Sequence, residues 1–186
     1  MNLPPLHKLP TGATPEGEER SPYSSPPRSA APPDRTQEFI NAARNGNASY
    51  VQRMLRWLAG MVMEFDPSGK DERGLTALMN AVEEGHRDVV TELLNPQWYI
   101  DVNVRSGKDR IASGRLGFDI EDKNTALMLA VMLGREEIFD QLLQVDGIDV
   151  NARNKDNYTA LGIALAGRTA ETLRMAERLR EKGGVE

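Results

Sequence analysis

Apolar residues in this chain fall at helical spacing in short blocks. Val51, Met54, Leu55 and Leu58 stand at i, i+3, i+4 and i+7, which places them on one face of a helix. Ile138, Phe139, Leu142 and Leu143 make a second such face, and Thr172, Leu173, Ala176 and Leu179 are expected to line a third. Polar residues occupy the positions between, so each block predicts a helix with one dry side and one wet side. A denser apolar stretch precedes each of the last two.

That denser stretch is a recurring phrase. Gly74-Leu75-Thr76-Ala77-Leu78-Met79-Asn80-Ala81-Val82-Glu83-Glu84-Gly85 reads as a short helix with a glycine at each end. Thr125-Ala126-Leu127-Met128-Leu129-Ala130-Val131-Met132-Leu133-Gly134 repeats it, and Thr159-Ala160-Leu161-Gly162-Ile163-Ala164-Leu165-Ala166 is a third, worn copy. Thr suits the cap position, where its hydroxyl accepts an orphan backbone N–H. Gly85 suits the left-handed stop. Thr76 and Thr125 are 49 residues apart, Thr125 and Thr159 are 34 apart, and Ala42 and Ala81 are 39 apart. The spacing predicts a unit of about 33–34 residues with a long insertion in the middle interval.

Taken in order, Asp34-Arg35-Thr36 offers caps for a first, incomplete copy containing Phe39, Ile40, Ala42 and Ala43. Gly46 stops that helix, and Val51 to Leu58 forms the next. The second copy ends at Asn95-Pro96 and returns through Asp101-Val102-Asn103; the third returns through Asp149-Val150-Asn151-Ala152. The last helix has a polar outer face and ends at Gly183-Gly184, as a terminal cap of an array needs. The expected units are about 34–70, 71–119, 120–153 and 154–184, within a domain of residues 34–186.

These residues resemble the ankyrin repeat. The family phrase T-P-L-H-x-A…G…V-x-x-L-L…D-V-N-A stands here as Thr76-Ala77-Leu78-Met79-Asn80-Ala81…Gly85…Val90…Leu93-Leu94…Asp101-Val102-Asn103. It stands again as Thr125 to Ala130, Gly134, Phe139, Leu142-Leu143 and Asp149 to Ala152. The resemblance covers about residues 36–182 and implies an all-α solenoid of about four helix-turn-helix units. Two departures recur: Ala replaces Pro and Met replaces His, which implies softer helix starts. Lys123 and Asn157 replace glycine in the turns, and a lysine there predicts a non-standard turn before Thr125.

Residues 1–33 differ in kind. They hold nine of the chain's eleven prolines and little apolar surface. Such a composition cannot offset chain entropy, and it predicts a disordered tail of polyproline-II character. The chain as a whole has 186 residues, a net charge of -5 and no cysteine. Without cysteine there is no disulfide framework and no thiol nucleophile. His7 falls in the tail and His86 follows a helix stop, so neither makes a catalytic or metal-ligating constellation. No catalytic residue, metal ligand or cofactor is expected. No apolar run is long enough for a membrane helix, and no secretory-type leader is expected. The mild acidity disfavours nucleic acid as a partner. A monomer in the cytoplasm, or the nucleus, is the expectation.

The resemblance implies a non-catalytic adaptor that binds another protein through its concave face and turn fingers. It places turn contacts at Glu72, Arg73 and Leu75, at Glu121, Asp122 and Asn124, and at Lys155, Asp156 and Tyr158. It places inner-helix contacts at Glu83 and Glu84 and at Met132 and Leu133, with Arg44 and Asn45 in the first unit. The insertion, expected at residues 106–119, is locally basic through Arg105, Lys108, Arg110 and Arg115. An alternative therefore stands beside the groove. The basic stretch 105–115 would read a phosphoprotein or nucleic acid, or the domain would inhibit a partner enzyme by occupying its site.

Overall fold

Each inner helix starts where the phrase does. Thr76, Thr125 and Thr159 are all extended, and their hydroxyls accept the N–H of Met79, Met128 and Gly162 at 3.3, 3.3 and 3.1 Å. The caps open α3 (Ala77–Glu84), α5 (Ala126–Met132) and α7 (Ala160–Gly167). Gly85, at φ 82, closes α3, and its N–H and that of His86 both reach Ala81 O. Each inner helix is preceded or followed by its neighbours in space: α1 (Arg35–Arg44) lies on α3, α3 on α5 and α5 on α7. The outer row is α2 (Ala48–Gly60), α4 (Arg87–Leu93), α6 (Glu136–Leu143) and α8 (Ala170–Glu181).

The computed structural model of the chain describes residues 35–60, 66–107 and 123–186. The tail 1–33, the apolar patch Met61, Val62, Met63 and Phe65, and most of the expected insertion lie outside the described residues.

The core runs continuously between the two rows. Phe39, Ile40, Leu55, Met79, Leu93, Leu127, Leu129, Phe139 and Leu142 are almost fully buried. Each such side chain contributes roughly 1.5–3 kcal/mol of hydrophobic stabilisation. Ala42, Ala81, Ala130 and Ala164 recur at one place in the four inner helices and are buried, which lets helix backbones approach closely. Two expectations change here. On α8 the buried stripe is Thr172, Met175, Ala176 and Leu179, while Leu173 is 48% exposed. Position 173 is one residue, about 100° of helical rotation, off the stripe. Thr36 is inside the first turn of α1 rather than its cap, because the helix begins at Arg35.

Polar links tie successive units together outside the core. Gln52 donates to the Glu92 carboxylate at 3.1 Å, and Gln141 to the Thr91 hydroxyl at 2.9 Å. Arg174 holds Glu136 with two hydrogen bonds, at 2.9 and 2.8 Å, and Arg178 pairs with Asp140. The asparagine of each D-V-N return does the same work at the other end. The Asn103 amide donates to Gly147 O, and its oxygen accepts the Asp149 N–H; Asn151 bonds Gly183 O and the Val185 N–H in the same way.

Candidate functional site

The inner face is built from two kinds of residue: those in the turn before each inner helix, and those in that helix's last turn. The turn is held by a side-chain acceptor. In the second unit Asp71 accepts the N–H of Leu75 at 2.9 Å while its own N–H reaches Leu75 O. In the last unit Asn154 does the same with Tyr158. In the third unit Ser106 is the acceptor: its hydroxyl takes the Asn124 N–H at 3.0 Å, and its N–H bonds Asn124 O. The partners are 4 residues apart in two turns and 18 apart in this one.

That pairing corrects the expected boundary. Ser106 holds the first turn position of the third unit, the place assigned to Ile120 from spacing. The expected insertion 106–119 therefore belongs to the opening turn of the third unit rather than to the end of the second. The described end of the turn matches the others in its backbone. Lys123 has φ 60, matching Gly74 at 78 and Asn157 at 68. Lys123 thus adopts the left-handed conformation that a lysine disfavours, next to the Ser106–Asn124 pair.

The candidate contacts separate by burial. Leu75 and Asn124 are fully buried. Leu75 packs in the core, and the Asn124 oxygen accepts the Asn154 amide at 3.0 Å. Both point inward, while Glu72 of the same turn as Leu75 is exposed. Met132 is also buried, at 7% exposure, as the last helical residue of α5. Leu133, the next residue, is only partly buried. Tyr158 takes the register of Leu75 and Asn124 but is 45% exposed, since no further unit follows α7 and α8 to cover it among the described residues. It lines a recess of about 440 Å³ with Gly162 and Leu165.

The charged candidates stay at the surface. Glu72, Glu84, Lys155 and Asp156 are exposed. Arg73 and Glu83 are joined at 2.6 Å, which ties a turn residue to the end of α3. The pair fixes the finger against the helix at a cost of two long side chains' freedom, so its net contribution is small, about 0–1 kcal/mol. Arg110, Arg115, Glu121 and Asp122 lie outside the described residues.

Several residues that shape this face carry no signal at the level of composition. Asp71 is buried and also accepts the Asn80 amide at 3.1 Å and the Arg44 guanidinium at 2.5 Å. Arg44, expected to face the groove, is thereby committed to Asp71 and to Asn80, which it reaches at 2.9 Å. His86 Nε2 donates to the Arg44 carbonyl at 2.9 Å, and Arg135, one unit on, donates to the Glu83 carbonyl at 2.8 Å. Both close the end of the preceding inner helix. The spacing of His86 and Arg135 behind Gly85 and Gly134 was the available sign.

Charge shifts sit on the outer face. The two hydrogen bonds from Arg174 hold the Glu136 carboxyl below its ordinary 4.5, against a smaller effect of burial. Burial, then Glu38, pushes the Tyr50 hydroxyl up. Among the described residues no three His, Asp or Glu side chains are grouped to hold a metal ion, and no helix is long and apolar enough to cross a membrane.

Comparison with protein families agrees with this architecture. The family model described as ankyrin repeats (3 copies) matches residues 31–106, and the ankyrin repeat model matches residues 122–155. The two matches cover more than half of the chain, and the gap between them falls between Ser106 and Lys123.

Proposed function

The chain belongs to the ankyrin repeat family, whose members are in general protein–protein interaction modules, and we propose that it is a non-catalytic adaptor that grips a partner protein on its inner face. The observation that carries this reading is a repeated division of burial. Residues Ala77–Val82 and Ala126–Met132 are buried, while the next residues along, Glu83 and Glu84 in one unit and Leu133 in the other, emerge. The turn residues Glu72, Lys155, Asp156 and Tyr158 emerge beside them. Glu84 and Leu133 hold one register in successive units and both emerge, so apolar Leu133 and Tyr158 stand among charges. Apolar anchors inside a polar rim are where interfaces concentrate their energy.

Among the described residues the exposed charges of this face are Glu72, Glu84 and Asp156 against Lys123 and Lys155. The partner surface that complements it is apolar at its centre and carries charges of both signs at its edge. The test is a pull-down with the full chain, comparing the parent with Leu133→Asp/Tyr158→Ala and with Arg87→Ala on the outer helices as control. The proposal expects a bound protein that is lost with the double variant and kept with the control. A partner retained by the double variant at parental affinity rejects the inner face as the site.

A further inference from the structure

The residue just before each outer helix does one of two jobs. Asn47 and Thr169 turn their side chains onto their own helices. Asn47 accepts the Tyr50 N–H at 3.0 Å, and Thr169 forms a reciprocal pair with Thr172. His86 and Arg135 leave α4 and α6 without a side-chain cap. They reach back to the preceding unit instead, where they meet the carbonyls of Arg44 and Glu83.

Each of these two also covers a glycine. A Cβ on Gly46 would stand 2.9 Å from the His86 ring, and one on Gly85 would stand 3.0 Å from the Arg135 guanidinium. Only a glycine lets a flat group come so near the backbone. Arg44 and Glu83 each stand two residues before the covered glycine. One arrangement therefore occurs twice: a carbonyl at the end of an inner helix, a bare glycine two residues on, and a planar N–H-bearing side chain from the next unit laid across both.

The third unit has the first two parts without the last. Met132 stands two residues before Gly134, which is left-handed at φ 65. Thr169 holds the register of His86 and Arg135, but it is short and its hydroxyl accepts the Thr172 N–H at 3.2 Å. Among the described residues nothing comes within 4 Å of where a Cβ on Gly134 would stand, and no side chain donates to the Met132 carbonyl. Gly134 is exposed, whereas Gly46 and Gly85 are half-buried. The place is open, and it adjoins Leu133 of the inner face.

The two filled copies define what fits. The group is flat, carries N–H and lies at the C-terminal end of a helix, where the peptide dipoles favour positive charge. From a separate chain it also needs reach. An arginine has the plane, the donors, a charge that pH does not remove and a long stem. A lysine ammonium has no plane to lay on the glycine, and an imidazole is shorter and mostly neutral at pH 7. A carboxylate or phosphate would face carbonyl oxygen.

We propose that the open place over Gly134 takes an arginine side chain of the partner protein. Its guanidinium lies flat on Gly134 and donates to the Met132 carbonyl, as Arg135 does at Gly85 and Glu83. This rests on the inner face being the docking face, but its test needs no partner, so the two readings fail separately.

The experiment is an NMR titration of the full chain with N-acetyl-arginine methylamide and, separately, with the citrulline analogue, which keeps the plane and N–H groups but not the charge. Saturable shifts are expected at the Gly134 amide and not at the Gly46 and Gly85 amides, whose places are filled. The citrulline analogue is expected to bind about threefold more weakly. Thr169→Arg supplies the missing group from the chain itself and is expected to abolish the response at Gly134. Gly134→Ala, whose methyl blocks the plane, is expected to do the same at residue 134. Arg135→Ala opens the place over Gly85 and is expected to bring a saturable shift there. Absence of saturation at Gly134 in the parent, a response that survives Thr169→Arg or Gly134→Ala, a Gly85 amide still unmoved in Arg135→Ala, or equal binding of the two amides overturns the proposal.

Discussion

The Ser106 hydroxyl accepts the backbone N–H of Asn124 at 3.0 Å, across 18 residues of chain, in the place where Asp71 and Asn154 close turns spanning 4. A finger that is long in sequence is therefore closed at its base like the short ones. Deleting residues 108–121 would leave Ser106 and Asn124 four residues apart. The shorter closure is worth up to about 1.5 kcal/mol, so the deletion is expected to hold or raise the melting temperature. Ser106→Ala, which leaves a buried N–H without its acceptor, should lower stability by about 1–2 kcal/mol. Thermal unfolding followed by circular dichroism measures both. The deletion also separates two readings of function. Partner binding survives it if the inner face is the site and disappears if the basic stretch is.

Asp71 is the most heavily used polar side chain of the described domain. It accepts from Leu75 N, Arg73 N, Asn80 and Arg44. Asp71→Ala should cost about 2–4 kcal/mol, the Arg44 charge being partly relieved by water because that side chain is a third exposed. Asp71→Asn should cost distinctly less, since Asn154 closes the same turn in the last unit. Chemical denaturation of the two variants decides it; equal losses would mean that charge rather than turn closure is what matters.

Met132 and Leu133 are neighbours that differ in burial, Met132 inside and Leu133 partly exposed. Met132→Ala should lower stability by about 2–3 kcal/mol and leave the affinity of the folded fraction unchanged. Leu133→Asp should leave stability almost unchanged and weaken partner binding. Measuring melting temperature and affinity on the same samples checks the division. A destabilised Leu133→Asp would place that side chain in the core after all.

Glu136 makes part of the domain's stability sensitive to acid. Its carboxyl is held below 4.5 in the folded state, chiefly by the Arg174 hydrogen bonds. A lowered folded value means that the contribution is present above about pH 4.5 and is lost as pH falls through the lower folded value. Glu136→Gln should therefore melt slightly below the parent at neutral pH, and the two should converge in acid. The Glu136–Arg174 pair is partly open to water, so added salt should shrink the difference at neutral pH. A gap that stays constant from neutral pH down to pH 3 would refute the assignment.

The inner and outer helices could be read from the chain because their determinants are local. A threonine cap, an apolar stripe and a left-handed stop are all set within a dozen residues. The phrase at Thr76, Thr125 and Thr159 located three inner helices, and Ile138, Phe139, Leu142 and Leu143 named the dry face of α6. Reading failed where the answer depends on a neighbour. Leu173 and Met175 are both apolar, and only the position of α7 decides that Met175 is inside.

The candidate contacts were legible by register and not by burial. Leu75, Asn124 and Tyr158 share one place in three successive turns, yet two are buried and one is exposed. Register follows from the repeat, which is written in the sequence. Exposure follows from whether the next unit stacks over that position, and Asn124 is covered while Tyr158 is not. Ser106 shows the same limit. Its residue type gives no hint that it closes a turn with a partner 18 residues away. By itself the amino-acid sequence determined the helices, their order and the unit that repeats, because those rest on hydrogen bonds and apolar spacing within a few turns. Only the tertiary structure decided where the long finger is closed, which arginines and acids pair with each other, and which side chains stay exposed. Each of those depends on groups distant in the chain meeting at a few ångströms, and no local pattern records that.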